Sequence, residues 1–170
     1  MQYYRLNTAV VGSNASGNQP LFGVGVTLSS NTVYAFESFN IIIKTAGTTS
    51  HNLTYLFGGT ATITNMLSYG HYTNGGVAVT NPNLGTATHA IASSNSSTNL
   101  NTSSLSITTA GITFLQWTSG TISIGAGGTF IPQYNLSAAP GGAYTTQIGS
   151  WFSIYPIGAS GSNTSVGTWA

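Results

Sequence analysis

The 170-residue chain contains no aspartate and no cysteine, and Arg5, Glu37 and Lys44 are its only residues of fixed charge, so charged positions make up 2% of the sequence. A soluble domain ordinarily carries about a quarter, which leaves Ser, Thr, Asn, Gln and the backbone to wet this surface, while a hydrophobic content of 41% excludes ordinary disorder. The composition points to a neutral folded surface and away from chemistry that needs paired acids or bases.

Along the chain, apolar residues do not recur at three and four, and Thr, Ser, Asn and 22 glycines dominate, so no helix is predicted. Period two predicts strands near 2–12, 20–28, 32–44, 50–57, 60–67, 86–92, 103–108, 112–118, 120–125, 128–136 and 149–157. His51, Leu53, Tyr55 and Phe57 alternate with Asn52, Thr54 and Leu56, and Ala61, Ile63 and Leu67 continue the pattern after Gly58-Gly59. Turn signals fall between the strands at Ser29-Ser30-Asn31, Thr45-Ala46-Gly47, Asn74-Gly75-Gly76, Asn81-Pro82-Asn83, Gly125-Ala126-Gly127-Gly128 and Pro140-Gly141-Gly142. The Ser/Asn/Thr-rich run over 92–106 reads as a surface loop with a polar edge strand. Strands this short and frequent predict an all-β fold, with residues 1–170 forming a single antiparallel β-sandwich of jelly-roll-like type.

Strand 32–44 is apolar on both faces. Val33, Ala35, Phe39, Ile41 and Ile43 point one way, with Glu37 among them, and this face is expected to meet the core. Tyr34, Phe36 and Ile42 point the other way and form a candidate subunit-interface strand, the other cover for that face being a loop or crossing strand of the same chain. A carboxylate buried on the core face would cost several kcal/mol unless paired. Lys44 lies about 23 Å farther along and on the opposite face, so an Arg5–Glu37 ion pair is expected to dock the first strand.

A Ser-His-Asp triad cannot be built without Asp, no Gly-x-Ser-x-Gly elbow surrounds a serine, and one carboxylate is too few for the usual glycosidase pair. His51, His71 and His89 are far apart in sequence and have no cysteine to join them, so neither a metal nor another cofactor is expected. Gly23-Val24-Gly25 lacks the helix and the Gly-Lys-Ser/Thr of a phosphate loop. Two cations cannot neutralise several phosphates, which argues against nucleic acid as a partner. No apolar run approaches the roughly 18 residues of a membrane-spanning helix, and no apolar leader follows Met1, so synthesis in a cytoplasm is expected. No catalytic residue is assigned.

The aromatic residues remain. Tyr3, Tyr4, Trp117, Trp151, Phe152, Tyr155 and Trp169 would make a glycan-binding face where exposed and simple core where buried. Trp169 is a candidate tail anchor, on its own body or on a neighbour. A net charge of +1 forgoes the self-repulsion that keeps proteins apart, so self-association is expected.

The wording of several segments carries a resemblance. Residues 22–28 (FGVGVTL), 32–37 (TVYAFE), 44–51 (KTAGTTSH) and 57–62 (FGGTAT), with 127–133 (GGTFIPQ), 137–142 (SAAPGG) and 165–170 (SVGTWA), resemble β-rich virion proteins encoded by tailed phages of aquatic bacteria. This resemblance implies a structural role with no catalytic motif. The chain has no long fibre shaft, heptad run or collagen-like repeat, which favours a capsid decoration or cement protein on the capsid exterior. Its implied partners are the major capsid protein and identical subunits, with a homotrimer expected by analogy. The alternative is a trimeric tail-fibre or receptor-binding tip that grips a host cell-surface glycan.

Overall fold

The computed structural model describes residues 1–76, 88–94, 101–102, 106–161 and 168, and these contain thirteen strands and no helix. In chain order the strands are β1 (Gln2–Arg5), β2 (Val10–Val11), β3 (Gly17–Pro20), β4 (Val26–Leu28), β5 (Thr32–Lys44), β6 (Leu53–Gly58) and β7 (Ile63–Gly76). There follow β8 (Thr88–Ser94), β9 (Asn101–Thr102), β10 (Ile112–Ile124), β11 (Gly128–Leu136), β12 (Tyr144–Thr146) and β13 (Trp151–Ala159). An eight-stranded sheet runs β1-β13-β5-β10-β7-β8, with β12 joining β5 and β2 joining β12. A five-stranded sheet runs β3-β11-β6-β9, with β4 also on β11. All the pairings are antiparallel, and the two sheets pack face to face, so the expected all-β sandwich is the architecture found.

Strands β5 and β11 fall on the residues that alternation assigns to them. Elsewhere the chain breaks or fuses strands for local reasons. The segment expected as one strand over 2–12 is two, and that over 20–28 gives way to a loop at 21–25 between β3 and β4. Residues 112–118 and 120–125, expected to be separate, form the single strand β10. Gly120 lies inside this strand, where a Cβ would run into the Leu67 carbonyl and the Phe36 ring, so its glycine serves close packing rather than a turn. Asn74-Gly75-Gly76, expected as a turn, pairs with β10 as the end of β7. The short strand β12 has no counterpart in the alternation pattern, and Asn81-Pro82-Asn83 lies outside the described residues.

Facing aromatic rings bind the two sheets together. Phe36 of β5 meets Phe57 of β6 edge-on at 5.1 Å, and Phe152 of β13 lies 5.9 Å from Phe130 of β11. Leu28, Ile42, Leu53, Phe114, Ile122, Ile124 and Leu136 fill the space around them. The core face of β5 is therefore the one carrying Tyr34, Phe36 and Ile42, which are 5%, 1% and 0% exposed. This overturns their assignment to a subunit interface: the two faces of the strand are the reverse of the expectation.

The reversal has a cause in the polar residues of that inner face. Ser38, Asn40 and Lys44 alternate with the inward hydrophobes yet are buried. Asn40 Nδ2 donates to Ser38 Oγ at 2.7 Å and to Gln116 Oε1 of β10 at 2.6 Å, and Gln116 Nε2 donates in turn to Thr118 Oγ1. These bonds satisfy the Asn40 and Gln116 amide nitrogens and Gln116 Oε1 across the strand pair, which makes their burial tolerable, while Asn40 Oδ1 has no hydrogen-bond partner among the described residues.

A second polar cluster closes the Lys44 end. Lys44 Nζ donates to the Gly47 carbonyl at 3.0 Å and stands 5.9 Å from the centre of the Tyr144 ring. His51 bridges Thr49 O, 2.6 Å from Nδ1, and Tyr144 Oη, 2.7 Å from Nε2. A neutral ring satisfies both contacts, with Nδ1–H donating to the carbonyl and Nε2 accepting from the phenol. Tyr134 Oη donates to Gln19 Oε1 at 2.9 Å nearby, and burial pushes its phenol up to about 12. Burial also lowers the Lys44 ammonium and the His51 imidazolium from their ordinary values, the positive charge of Lys44 adding to the effect on His51.

The sign of the His51 shift fixes a pH dependence. The folded state holds this proton less tightly than the unfolded chain, whose histidine titrates near 6.5. Its contribution to stability is complete above that value and is lost as pH falls through it towards the folded pKa. Glu37 is the only side-chain carboxylate, so ordinary acid unfolding through carboxylates has little to act on. Urea midpoints measured from pH 7.5 to 5 should fall with acid in the native chain. In His51→Gln the slope should flatten, whatever the absolute stability.

Candidate binding face

The residues of the large sheet that point away from the core form the broadest candidate site. Strand register places them in rows across the sheet. One row runs Arg5, Trp151, Phe39, Trp117 and His71, on β1, β13, β5, β10 and β7. The next runs Tyr3, Ser153, Glu37, Ser119 and Tyr69. Beyond it lie Tyr155, Ala35, Thr121 and Leu67, and on the other side Ile41, Leu115 and Thr73.

The physical reason is alternation. Every second residue of a strand in a two-layer sandwich faces outward, and on these strands many of those residues are aromatic or aliphatic. Trp117 is 43% exposed, Leu115 41%, Tyr69 53% and Leu67 64%, although a solvent-facing side of a sheet is ordinarily polar. Phe39, Ile41, Ile43 and Trp151 are half-buried by their neighbours on the same face. The His71 and Trp117 rings lie 5.9 Å apart, as do those of Tyr3 and Trp151. Rings on adjacent strands support one another in this way and hold the surface in shape.

Electrostatically the face is nearly empty. Glu37 sits near its middle and Arg5 at the end of one row, with Ser119, Ser153, Thr121 and Thr73 as the neutral hydrogen-bonding groups. The expected Arg5–Glu37 pair does not form. Glu37 is exposed on the outer face, and the Arg5 guanidinium donates from Nη2 to Asn7 Oδ1 at 2.8 Å. The pair was expected because Glu37 was placed in the core, and a carboxylate in water has no such need of a cation.

Of the aromatic candidates, Tyr3, Trp117, Trp151 and Tyr155 share this face, whereas Phe152 belongs to the core and Tyr4 turns towards Phe22, with ring centres 6.0 Å apart. Phe39, expected on the core face, joins this one instead, as do Leu115, Leu67 and Tyr69, none of which the sequence marked as a binding candidate. The signal that could have found them is the parity of Glu37, since the only acid marks the wet side of β5 and register carries that parity to β10 and β7. Trp169 lies outside the described residues. His51 is buried in the cluster beside Tyr144, and among the described residues no three potential metal-ligating side chains come together.

Comparison with protein-family models and with curated proteins returns no match to this chain.

The exposed position of Glu37 gives a direct check. Glu37→Gln should leave the thermal and urea midpoints essentially unchanged, within about 0.5 kcal/mol, as for surface positions without a partner. A loss of 2 kcal/mol or more would mean that the carboxylate is held by a cation after all.

Proposed function

We propose that this chain is a non-catalytic structural protein of a phage virion, a capsid decoration or cement protein, and that the outer face of its large sheet is the surface by which it seats. The observation that carries this reading is the face itself: aromatic and aliphatic residues on four neighbouring strands, β13, β5, β10 and β7, with one carboxylate among them. Extended apolar surface of this kind marks an interaction site. The resemblance to β-rich virion proteins supplies the setting, with major capsid subunits and identical copies, arranged as homotrimers, as the partners. Many modest contacts repeated over a shell add up to a strong collective hold.

A near-neutral face gives such a lattice particular properties. Few charges must be desolvated on docking and few repel between copies, so attachment depends mainly on apolar burial and short hydrogen bonds. Salt should matter little.

The in-register row of Trp151, Phe39, Trp117 and His71 favours one second reading. Flat rings flanked by Ser and Thr hydroxyls suit the faces of sugar rings, as in a receptor-binding tip for a host cell-surface glycan.

Two measurements separate these readings. Purified particles should carry hundreds of copies under the decoration reading and a few to a few tens under the tip reading. Trp117→Lys should weaken attachment to undecorated shells by roughly 10- to 100-fold, or about 1.4–2.7 kcal/mol, with an unchanged circular dichroism spectrum. Wild-type occupancy should hold from about 0.1 M to about 1 M salt. Undiminished attachment of Trp117→Lys would overturn the assignment of this face.

A further inference from the structure

The three side chains of fixed charge are divided between interior and surface. Lys44 is wholly buried, where its ammonium donates to the Gly47 carbonyl. Arg5 and Glu37 are the two that reach water, and register puts both on the outer face of the large sheet. Arg5 lies in the row of Trp151, Phe39 and Trp117, and Glu37 in the next, between Ser153 and Ser119. Two strand spacings and one side-chain step separate them, about 12 Å.

Each charge is placed to meet a group from outside. The bond from Arg5 Nη2 to Asn7 Oδ1 uses one of the five N–H groups of the guanidinium and keeps its head on the exposed strand β1. Glu37 has small neighbours on three sides, Ala35 along its own strand and Ser119 and Ser153 on the adjoining ones, while Phe39, Trp117 and Trp151 form a wall of rings on the fourth. A planar group can lie against that wall and reach the carboxylate through two parallel hydrogen bonds, which is the geometry of a guanidinium. The face is therefore self-complementary. Its apolar area favours burial, burial strands the carboxylate unless a donor arrives with the partner, and another copy of the face brings that donor. A net charge of +1 opposes such an approach very little.

We propose that the outer face binds a second copy of the same chain, with Arg5 of one copy seated on Glu37 of the other, against the Phe39 and Trp117 rings. This rests on the reading of the face as a docking surface and names one of its partners. The ion pair expected from the sequence thus forms between copies instead of within one. Repeated round a ring of three, the contact leaves neither charge unpaired in any copy, and it gives the homotrimer of the proposed function its specific contact. Closed beneath the rings, the pair is screened little by salt.

The test is sedimentation equilibrium of the full chain with charge reversal. The native chain should self-associate reversibly. Arg5→Glu and Glu37→Arg should each weaken that association roughly tenfold or more. The two substitutions together should restore it, because the pair is remade with its signs exchanged. Urea midpoints in dilute solution, where the copies are apart, should stay close to native in all three variants and so show that each folds; the small effect expected of Glu37→Gln belongs to this separated chain. A native chain that remains monomeric would overturn the proposal, as would single reversals that associate like the native chain or a double reversal no better than the singles. If the reversals leave association untouched while Trp117→Lys still loses its hold on shells, the docking face stands and the pairing of copies through these charges falls.

Discussion

The pairing of β5 with β10 is the constraint on which the rest of this structure depends. Thirteen residues of each strand lie opposite one another from Ile112↔Lys44 to Ile124↔Thr32 without a break in register. Strands β13 and β12 hang on one side of this pair and β7 on the other, so its register sets the position of every residue on both faces of the large sheet. A slip by one would turn the whole apolar set inside out. Both faces of β5 are rich in hydrophobes, so hydrophobicity alone would not prevent that slip. The hydrogen bonds among Asn40, Ser38, Gln116 and Thr118 oppose it, because a slip by one would move Gln116 away from its place opposite Asn40 and turn both amides to the other face.

The same polar residues explain where sequence reasoning succeeded and where it failed. Alternation sufficed for the all-β class, the sandwich and the limits of β5 and β11, because those depend on local period and on glycine-rich turns. Assigning the faces of β5 required knowing which polar groups find partners, and these partners lie far away in sequence: Gln116 for Asn40, and Tyr144 for the cluster that encloses Lys44. The face with Phe39, Ile41 and Ile43 carries a single polar residue, Glu37, and so reads as the inner one, whereas the true inner face carries Thr32, Ser38, Asn40 and Lys44. The outer face of the large sheet was legible only in fragments. Trp117, Trp151, Tyr3 and Tyr155 stood out as aromatics, but their convergence with Phe39 and Tyr69 depends on register across five strands.

Scarcity of charge shapes interior and exterior alike. Lys44 is wholly buried with a carbonyl and an aromatic ring as its company, and His51 beside it is held towards the neutral form. Outside, few carboxylates or ammonium groups interrupt the sheet, so the face presents continuous apolar area without the usual charged protection against association.

Glu37 gives that face an orientation. Any partner laid flat over the rings must present a hydrogen-bond donor, a cation or a channel for water at one fixed point, opposite Ser119 and Ser153. A greasy surface lacking one would strand a desolvated carboxylate. For any such partner, one acid in a neutral field would act as a keyway, favouring a pose that brings a donor to it over rotated poses of the same two surfaces.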